Sequence, residues 1–357
     1  MTLGVTMIVK NESEVLCRVL DGVKDVADEI IIADTGSTDD TAEIARRYTD
    51  KVFAFEWADD FSAARNFVRE KCTADYWLWL DADDIVPRKT ALGISRFVKS
   101  ADGSVNAVML PYVAATDGAG KPTFSYYRER ILKNTPNNVW RGVVHEAVSP
   151  SGPTVRLPYP IIHAKPNGRV GGTRNLDIYR AAISRGETLD PRGLYYFARE
   201  LYYNGFYAEA EQKLREFLGT DGFYINKIDG CLLLSRLRRR EGDFDGAVKS
   251  VLDGFSYAPP TGEGCCELGG LFFERGDYLA AAYWYECATR IKPDPKSGGF
   301  IDHDCYGFTP LVWLTVCHDR LGDRKRAYRC HCRAKKLRPD HPSIIANDRY
   351  FASLGYL

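Results

Sequence analysis

Apolar and polar positions follow different patterns in the two parts of the chain. Before about residue 190, short apolar runs are separated by stretches in which apolar residues recur at helical spacing. The predicted strands are the runs "LGVTMIV", "DEIIIAD", "KVFAF" and "YWLWLD". Helices are expected from about Ser13, from Ser37 and around "FSAARNFVREK". Strands that alternate with helices are typical of βαβ units, so this region is predicted to be an α/β domain with a mostly parallel sheet.

Further apolar runs in this region follow one another without helices between them. They are "NAVMLPYVA", "RERILKN", "GVVHEAV" and "YPIIHA". Runs without crossover helices favour antiparallel pairing. We therefore expect them to extend the parallel strands into a Rossmann-like mixed sheet, in a domain that covers residues 1–185.

A repeat replaces the strands in the rest of the chain. Four stretches align without gaps, each with Gly second and Ala seventh: "NGFYAEA", "EGDFDGA", "RGDYLAA" and "LGDRKRA". Pro259, Pro293 and Pro339 follow the last three alanines at a constant spacing, whereas Gly222 stands at that position in the first unit. Stacked helical hairpins need a Gly in the tight turn, an Ala at the helix crossing and a Pro after the second helix. The pattern resembles tetratricopeptide repeats and predicts an all-α domain over residues 186–357.

Composition narrows the function classes. The chain has 357 residues, of which 45% are hydrophobic and 27% charged, so it can bury the cores of two domains. Lys and Arg total 48 against 48 for Asp and Glu, which gives no reason to expect nucleic acid or an anionic membrane as a partner. The opening "MTLGVTMIVKNESE" contains an apolar run too short for a signal peptide or membrane span.

These features predict a cytoplasmic protein. Its ten cysteines are scattered and include the adjacent pair Cys265 and Cys266, so reduced thiols are expected rather than disulfides. The sequence leaves the oligomeric state open, a homo-oligomer included.

Polar residues collect where the predicted strands end. In an open α/β sheet, ligands bind at the carboxyl ends of the strands. The candidates are Lys10, Asn11 and Glu12 after the first strand, Asp34 after the second, Arg65 and Asn66 before the fourth, and Asp81, Ala82 and Asp83 after it. Carboxylates can accept from a base or from ribose hydroxyls, and Arg65 supplies a cationic fork, so the set suits a nucleotide sugar.

The fourth strand ends in closely spaced carboxylates. Asp81 and Asp83 flank a small residue, and oxygen ligands favour Mg²⁺ or Mn²⁺, which can also bind a diphosphate. An isolated triplet of this kind is weak evidence, since many are solvated carboxylates or helix caps.

Four motifs are more informative together than each is alone. "VTMIVKNE", "DTGSTDDT", "AARN" and "DADD", in this order, resemble family 2 glycosyltransferases of the GT-A fold over about residues 1–180. The resemblance implies that Asp34 contacts the uracil and ribose of a UDP-sugar donor, that Asp81 lies on the ribose side, and that Asp83 binds Mn²⁺ or Mg²⁺.

The stretch "RERILKNTPNNVWRGVVHEAV" resembles a subgroup of these enzymes that adds sugars to lipopolysaccharide cores and to peptides. The matching positions are Trp140, Gly142, His145 and Glu146. Trp140 is assigned to the acceptor side. An inverting transferase needs a base beside the acceptor nucleophile, for which Glu146 is the candidate and His145 the next. The alternative for Glu146 is an interstrand ion pair or a helix cap.

His163 ends the run "YPIIHA", and the resemblance implies a role in the metal site or at the diphosphate; a hydrogen-bonded core histidine is the alternative. "KPNGRVGGTRN" follows; one interpretation is a mobile lid whose Arg169 and Arg174 contact the diphosphate, and a solvated linker is the alternative.

Two features of the last repeat remain. Cys317, His318, Cys330, His331 and Cys332 do not suit zinc, because Cys330 and Cys332 would point in different directions from one helix. The same repeat is rich in cations, which indicates either a solvated face or a surface for an acidic acceptor or nucleic acid. These cations are Arg320, Arg324, Lys325, Arg326, Arg329, Arg333, Lys335, Lys336 and Arg338.

The sequence therefore predicts a metal-dependent inverting glycosyltransferase that moves a sugar from a UDP-sugar to a polypeptide side chain, with the helical repeats holding the acceptor. Its domain combination resembles transferases that modify bacteriocin peptides. The alternatives are a saccharide or lipid-linked core as acceptor, or a binding module with an inactive transferase domain.

Overall fold

The computed structural model describes residues 1–164 and 172–356. Its internal contacts divide the chain into two compact units, Met1–Tyr196 and Phe197–Leu357. The boundary predicted after residue 185 falls just past the helix Arg174–Ser184, which belongs to the first unit.

Strands and helices alternate in the first part of this unit. The elements are β1 (Leu3–Val9), α1 (Leu16–Val23), β2 (Glu29–Asp34), α2 (Thr41–Arg46), β3 (Val52–Ala54), α3 (Phe61–Lys71) and β4 (Tyr76–Leu80). Strand β1 pairs in parallel with β2 and β4, and β2 pairs in parallel with β3. The predicted βαβ organisation is confirmed, while the helix expected from Ser37 begins at Thr41. The reason is that the Ser37 hydroxyl accepts from the Asn11 amide instead of capping a helix.

The remaining elements complete a mixed sheet. They are β5 (Asp84–Ile85), α4 (Arg88–Ser100), β6 (Ala107–Thr116), β7 (Pro122–Lys133), β8 (Trp140–Arg141), β9 (Ala147–Val148), β10 (Thr154–Arg156), β11 (Ile161–His163) and α5 (Arg174–Ser184). The strand order is β3-β2-β1-β4-β7-β6-β11-β5, and β10 pairs with β6. Strand β7 runs antiparallel to β4 and β6, as predicted for the extension, whereas β10 and β11 pair in parallel with β6, contrary to the antiparallel expectation for "YPIIHA". The run "GVVHEAV" is mostly not a strand: its last two residues form β9, which pairs with β8 outside the main sheet.

Strand β4 lies at the centre of the fold. All five of its residues are buried, and two apolar clusters pack on the opposite faces of the sheet. Tyr76, Leu78 and Leu80 belong to one cluster, and Trp77 and Trp79 to the other. A strand covered on both faces is apolar throughout, and this explains why "YWLWL" shows no alternation before its carboxylates.

The second unit is helical. Its elements are α6 (Pro191–Tyr203, which crosses the division), α7 (Tyr207–Leu218), α8 (Tyr224–Arg240), α9 (Phe244–Gly254), α10 (Gly262–Glu274), α11 (Tyr278–Arg290), β12 (Ile301–Asp302), a 3₁₀ turn (His303–Tyr306), α12 (Phe308–Arg320), α13 (Arg324–Leu337) and α14 (Pro342–Ser353). Four hairpins follow one another, from α6–α7 to α12–α13.

The repeated residues have the predicted structural roles. The four turn glycines adopt left-handed backbone angles, with φ between 78° and 84°. The four alanines are 0% exposed, and in the last three hairpins an Asp caps the second helix. They are Gly205, Gly242, Gly276 and Gly322; Ala210, Ala247, Ala281 and Ala327; and Asp243, Asp277 and Asp323.

All ten cysteines are free thiols in this structure. Across the described ranges 1–164 and 172–356, no helix combines the length and apolar character that a membrane span requires.

Candidate functional site

The carboxyl ends of three neighbouring strands meet at one edge of the sheet. Val9 of β1 pairs with Asp34 of β2, and Met7 of β1 pairs with Leu80 of β4. The residues that follow each strand therefore lie side by side, as the sequence predicts for Lys10, Asn11 and Glu12, for Asp34, and for Asp81 and Asp83.

The loops after β1 and β2 are fastened to each other. Asn11 has φ 54° and its side-chain oxygen accepts from the Thr38 amide at 2.7 Å. Asp34 accepts from the Ser37 amide at 2.9 Å, and the Glu12 amide donates to the Thr41 hydroxyl at 2.7 Å. These contacts hold the two loops in place and leave polar groups at the ends of β1 and β2, where hydroxyl groups of a ligand could bind.

Arg65 links two of the predicted site carboxylates. It lies on α3, is 8% exposed, and its Nη2 bonds Asp81 Oδ1 at 2.6 Å while its Nε bonds Glu146 Oε1. The rings of Trp79 and Trp140 lie 4.9 and 5.0 Å from the guanidinium carbon. A buried guanidinium needs such partners to offset its lost hydration. Arg65 is therefore held between the end of β4 and the 141–146 loop, with both carboxylates bound to one cation.

The charges near Asp81 keep it ionised. Burial disfavours the charged carboxylate, but Arg65 and Arg130 outweigh it and lower the pKa of Asp81 to about 2. One third of the Asp81 side chain remains exposed. An ionised, partly exposed carboxylate at the end of β4 can accept hydrogen bonds from a ligand.

Asp84 forms a second ion pair beneath this edge. Its Oδ2 accepts from Arg130 Nη1 at 2.9 Å and from the Asp81 amide at 3.0 Å, and both side chains of the ion pair are 0% exposed. The Arg130 guanidinium also faces the rings of Trp79 at 3.7 Å and Tyr112 at 4.4 Å. Burial raises the pKa of Asp84 to about 6 even though Arg130 acts in the opposite direction. The pair fixes the turn that carries the site carboxylates.

Asp83, Asp84 and His163 form a group that could hold a metal ion. One ligand atom from each lies within 4.8 Å of the others, and Asp83 Oδ1 is 3.3 Å from His163 Nδ1. Asp84 Oδ1 is buried and has no hydrogen-bond partner among the described residues. Two carboxylates and an imidazole suit Mn²⁺, so the residues present fit a divalent cation. The sequence prediction had Asp81 in this set. In the structure Asp81 is paired with Arg65, and Asp84 is the third residue of the group that could hold a metal ion.

The loop 141–146 presents the candidate base. Gly142 has φ 98° and His145 has φ 52°, so the chain turns sharply on both sides of Val144. The Val144 carbonyl accepts from the Tyr179 hydroxyl at 3.1 Å, and the His145 ring stacks on Tyr196 at 4.3 Å. Glu146 is 8% exposed, and its Oε2 has no hydrogen-bond partner among the residues that the structure describes. His145 thus has a packing contact, whereas Glu146 keeps one oxygen available.

Three other predicted site residues have different surroundings. The Asn66 side chain makes two hydrogen bonds with the backbone of Trp140. Its Nδ2 donates to the Trp140 carbonyl at 3.0 Å, and its Oδ1 accepts from the Trp140 amide at 2.9 Å. The Trp140 ring is 3% exposed and packs on Trp77 and Trp79, so in this structure it supports Arg65 and faces no open surface. Contact with an acceptor remains a prediction. Arg174 is exposed and lies over the Phe61 ring at 5.2 Å, and Arg169 lies outside the described residues.

Sequence reasoning missed three basic residues at this edge. Arg128 and Arg130 lie two apart on β7, and their guanidinium carbons are 4.8 and 3.7 Å from the Trp79 ring. The signal was present in "RER", since residues two apart in a strand share a face. Arg18 of α1 donates to the carbonyls of Asp83 at 3.1 Å and Ala164 at 2.9 Å. No local motif indicates that contact.

Comparison with known proteins gives a family match for the N-terminal region of the chain. The model of glycosyl transferase family 2 matches residues 5–150. A TPR repeat-containing protein of Synechococcus elongatus is 29% identical over 313 residues, which cover 84% of this chain and 69% of the relative. The SPbeta prophage-derived glycosyltransferase SunS of Bacillus subtilis is 29% identical over 215 residues, 56% of this chain and 49% of SunS. The chain thus spans about half the length of SunS.

Among solved structures, the crystal structure of MamA matches 45% of this chain and 85% of its own, at a TM-score of 0.37 and 15% identity. The family match covers β1 to β9 and includes the site carboxylates of β4 and Glu146. The N-terminal part of the chain therefore carries a domain of glycosyl transferase family 2, and tetratricopeptide-type repeats follow it.

Proposed function

We propose that the enzyme transfers a sugar from a UDP-sugar to a polypeptide side chain, with the help of a divalent cation and with inversion at the anomeric carbon. The observation that carries the proposal is the Arg65 bridge. One buried cation joins Asp81, at the end of the strand expected to hold the donor, to Glu146, the candidate base. Such a bridge would keep the donor and the base in a fixed relation.

The donor would lie along the ends of β2, β1 and β4. Asp34 and Asp81 offer carboxylate oxygens to the uridine, and the fastened loops after β1 and β2 hold the recognition groups in place before the donor arrives. Hydrogen-bond acceptors that are already fixed can bind a ligand without the loss of conformational entropy that mobile side chains would undergo.

Asp83, Asp84 Oδ1 and His163 are the residues that would hold Mn²⁺ or Mg²⁺. A divalent cation supplies charge stabilisation for a departing diphosphate. Arg174 could contribute a second positive charge from α5, and Arg169 stays in the proposal on sequence grounds alone.

Glu146 would act on the acceptor. As the acceptor oxygen or sulfur bonds to the anomeric carbon, the bond from that carbon to the diphosphate breaks and the acceptor proton passes to Glu146. Arg65 orients the carboxylate through Oε1, and Oε2 is the oxygen that would take the proton. His145 is the next candidate, although its ring stacks on Tyr196.

A polypeptide acceptor is supported by the helical repeats, because repeat surfaces of this kind bind extended chains. The relative SunS is named a glycosyltransferase, and the Synechococcus relative a TPR repeat-containing protein. A saccharide acceptor would fit within the sheet domain and would not need the repeats.

The decisive experiment is incubation of the protein with a panel of nucleotide sugars and Mn²⁺, with released nucleotide as the measurement. We expect release from a UDP-sugar, its loss with a chelator, and at least about tenfold weaker Mn²⁺-dependent UDP binding in Asp83→Asn, because the amide keeps the shape without the charge. Mass spectrometry of candidate acceptors then distinguishes polypeptide from saccharide. Unchanged Mn²⁺-dependent UDP affinity in Asp83→Asn would contradict the metal assignment.

A further inference from the structure

Helix α13 carries a row of exposed cations. Lys325, Arg329, Arg333 and Lys336 are all exposed, and helix geometry places them within an arc of about 80° and along about 16 Å of the axis. The opposite face is buried. We refer to these four residues as the basic stripe.

The basic stripe has no acidic partners among the described residues. Three other cations of α13 form ion pairs: Arg324 with Asp319 at 3.9 Å, Arg326 with Asp323 at 3.3 Å and Lys335 with Asp348 at 2.8 Å. Asp319, Asp323 and Asp348 are therefore paired with cations outside the basic stripe.

The equivalent helices of the other hairpins are different. In α7, Lys213 pairs with Glu216 at 2.8 Å; in α9, Lys249 pairs with Asp253 at 2.8 Å; in α11, Arg290 pairs with Glu286 at 3.2 Å. An ordinary solvated face in this array thus mixes charges of both signs within one helix. The face of α13 does not.

Folding alone does not favour this arrangement. Like charges at i, i+4 destabilise a helix, and both Lys325–Arg329 and Arg329–Arg333 have that spacing. Lys325 also lies in the first turn, where the helix dipole disfavours a cation. The whole chain has no excess of positive charge that would account for the cluster. An anionic partner would remove the repulsion.

We propose that the basic stripe is a docking surface for an acidic segment of the polypeptide acceptor. Alternate side chains of an extended peptide are about 6.6 Å apart, close to the rise of about 6 Å between helix positions i and i+4. A row of Asp or Glu can therefore face the row of cations. The proposal rests on the proposed function in taking the acceptor to be a polypeptide.

Other anionic partners fit less well. Single-stranded nucleic acid is bound through stacking on exposed rings, but Tyr328 of α13 packs on Phe351 and Tyr356, with ring centroids 5.2 and 4.9 Å away. A membrane-bound amphipathic helix needs an available apolar face, and the apolar face of α13 is buried against its own unit.

The test uses the full-length protein and a fluorescein-labelled peptide of alternating Glu and Ser, with fluorescence anisotropy as the measurement. The triple variant Lys325→Glu/Arg329→Glu/Arg333→Glu is compared with Lys213→Glu/Lys249→Glu/Arg290→Glu, which changes the net charge equally. We expect binding by the wild type and the control, at least about tenfold weaker binding by the stripe variant, and loss of binding at high salt. A Gln/Ser peptide should not bind.

Three results would overturn the proposal: no peptide binding by the wild type, equal loss in both variants, or tighter binding of oligouridylate that depends on the basic stripe. If the triple variant does not fold, Arg329→Gln/Arg333→Gln is used, with about threefold weaker binding expected. Donor hydrolysis is measured on the same preparations. Selective peptide binding without hydrolysis supports docking and contradicts the proposed function, whereas hydrolysis without peptide binding contradicts docking alone.

Discussion

The two units use charged residues in different ways. In the first, Arg65, Arg130, Asp84 and Glu146 are less than 10% exposed, and each belongs to an ion pair near the end of β4. In the second, several arginines and lysines lie on exposed helix faces, in pairs one turn apart or in the basic stripe, while other arginines form ion pairs between neighbouring helices. A buried charge without its partner is costly, whereas an exposed pair contributes little. Single substitutions at the buried ion pairs of the first unit should therefore have large effects, whereas single substitutions at the exposed pairs of the second should have small ones.

The largest effect is expected for Glu146→Gln. A base acts in the transition state, so turnover should fall by roughly 10²–10⁴-fold while UDP affinity changes little. Single-turnover transfer and UDP titration measure the two quantities separately. A cysteine acceptor should give a smaller fall, since a thiolate forms more readily. Full activity with a hydroxyl acceptor would assign the role to another residue, with His145 examined next.

Arg130→Met tests the cost of a buried unpaired charge. Asp84 would lose its ion-pair partner at 0% exposure, so the first unit should be destabilised by about 3–5 kcal/mol. Hydrogen exchange of β4 amides in increasing urea reports the free energy of unfolding of this unit. The matched control is Arg215→Met on α7, whose side chain is 52% exposed and pairs with Glu211. It should change the stability of the second unit by less than about 1 kcal/mol, and equal costs would remove the contrast.

The stability of the first unit should depend on pH through Glu29. It accepts from the amides of Thr73 at 2.6 Å and Ala74 at 2.7 Å. Burial would raise its pKa, but these bonds and Lys51 lower it to about 2. Because the folded-state pKa lies below the ordinary value, the stabilisation is present above about pH 4.5 and is lost as the pH falls toward 2.

Glu29→Gln should therefore destabilise the first unit by about 2 kcal/mol at pH 7, and wild type and variant should converge near pH 2. Urea unfolding at several pH values measures the difference. A difference that stays constant with pH would show that the carboxylate charge is not the cause.

The smallest effect is expected for Lys249→Ala, which breaks an exposed i, i+4 pair on α9. The free energy of unfolding of the second unit should change by about 0.3–0.5 kcal/mol or less, and the change should disappear in high salt. Hydrogen exchange of α9 amides is the measurement. A cost above about 1 kcal/mol would mean that exposed pairs in the repeats matter more than the comparison allows.

The features that were predicted correctly are those encoded by short, continuous stretches of the sequence. The alternation of strands and helices, the apolar β4 and the turn glycines depend on neighbours in the chain. The ion pairs of the site do not: Arg65 and Glu146 are 81 positions apart, and Arg130 and Asp84 are 46 apart. They meet because β7 pairs with β4 and the 141–146 loop folds back over α3, and no short motif encodes either event. The start of α2 at Thr41 was missed for the same reason. The Ser37 hydroxyl accepts from the backbone amide of Asn11, which is distant in the sequence.

The turn glycines have a consequence for how this protein can change over time. At Gly205, Gly242, Gly276 and Gly322 an added Cβ would meet nothing within 4 Å, so these residues are needed for their backbone angles and not for space. Each reversal of chain direction is thus encoded within its own hairpin and does not depend on distant residues. Recombination that adds, removes or exchanges a hairpin would therefore carry the signal for its own turn with it.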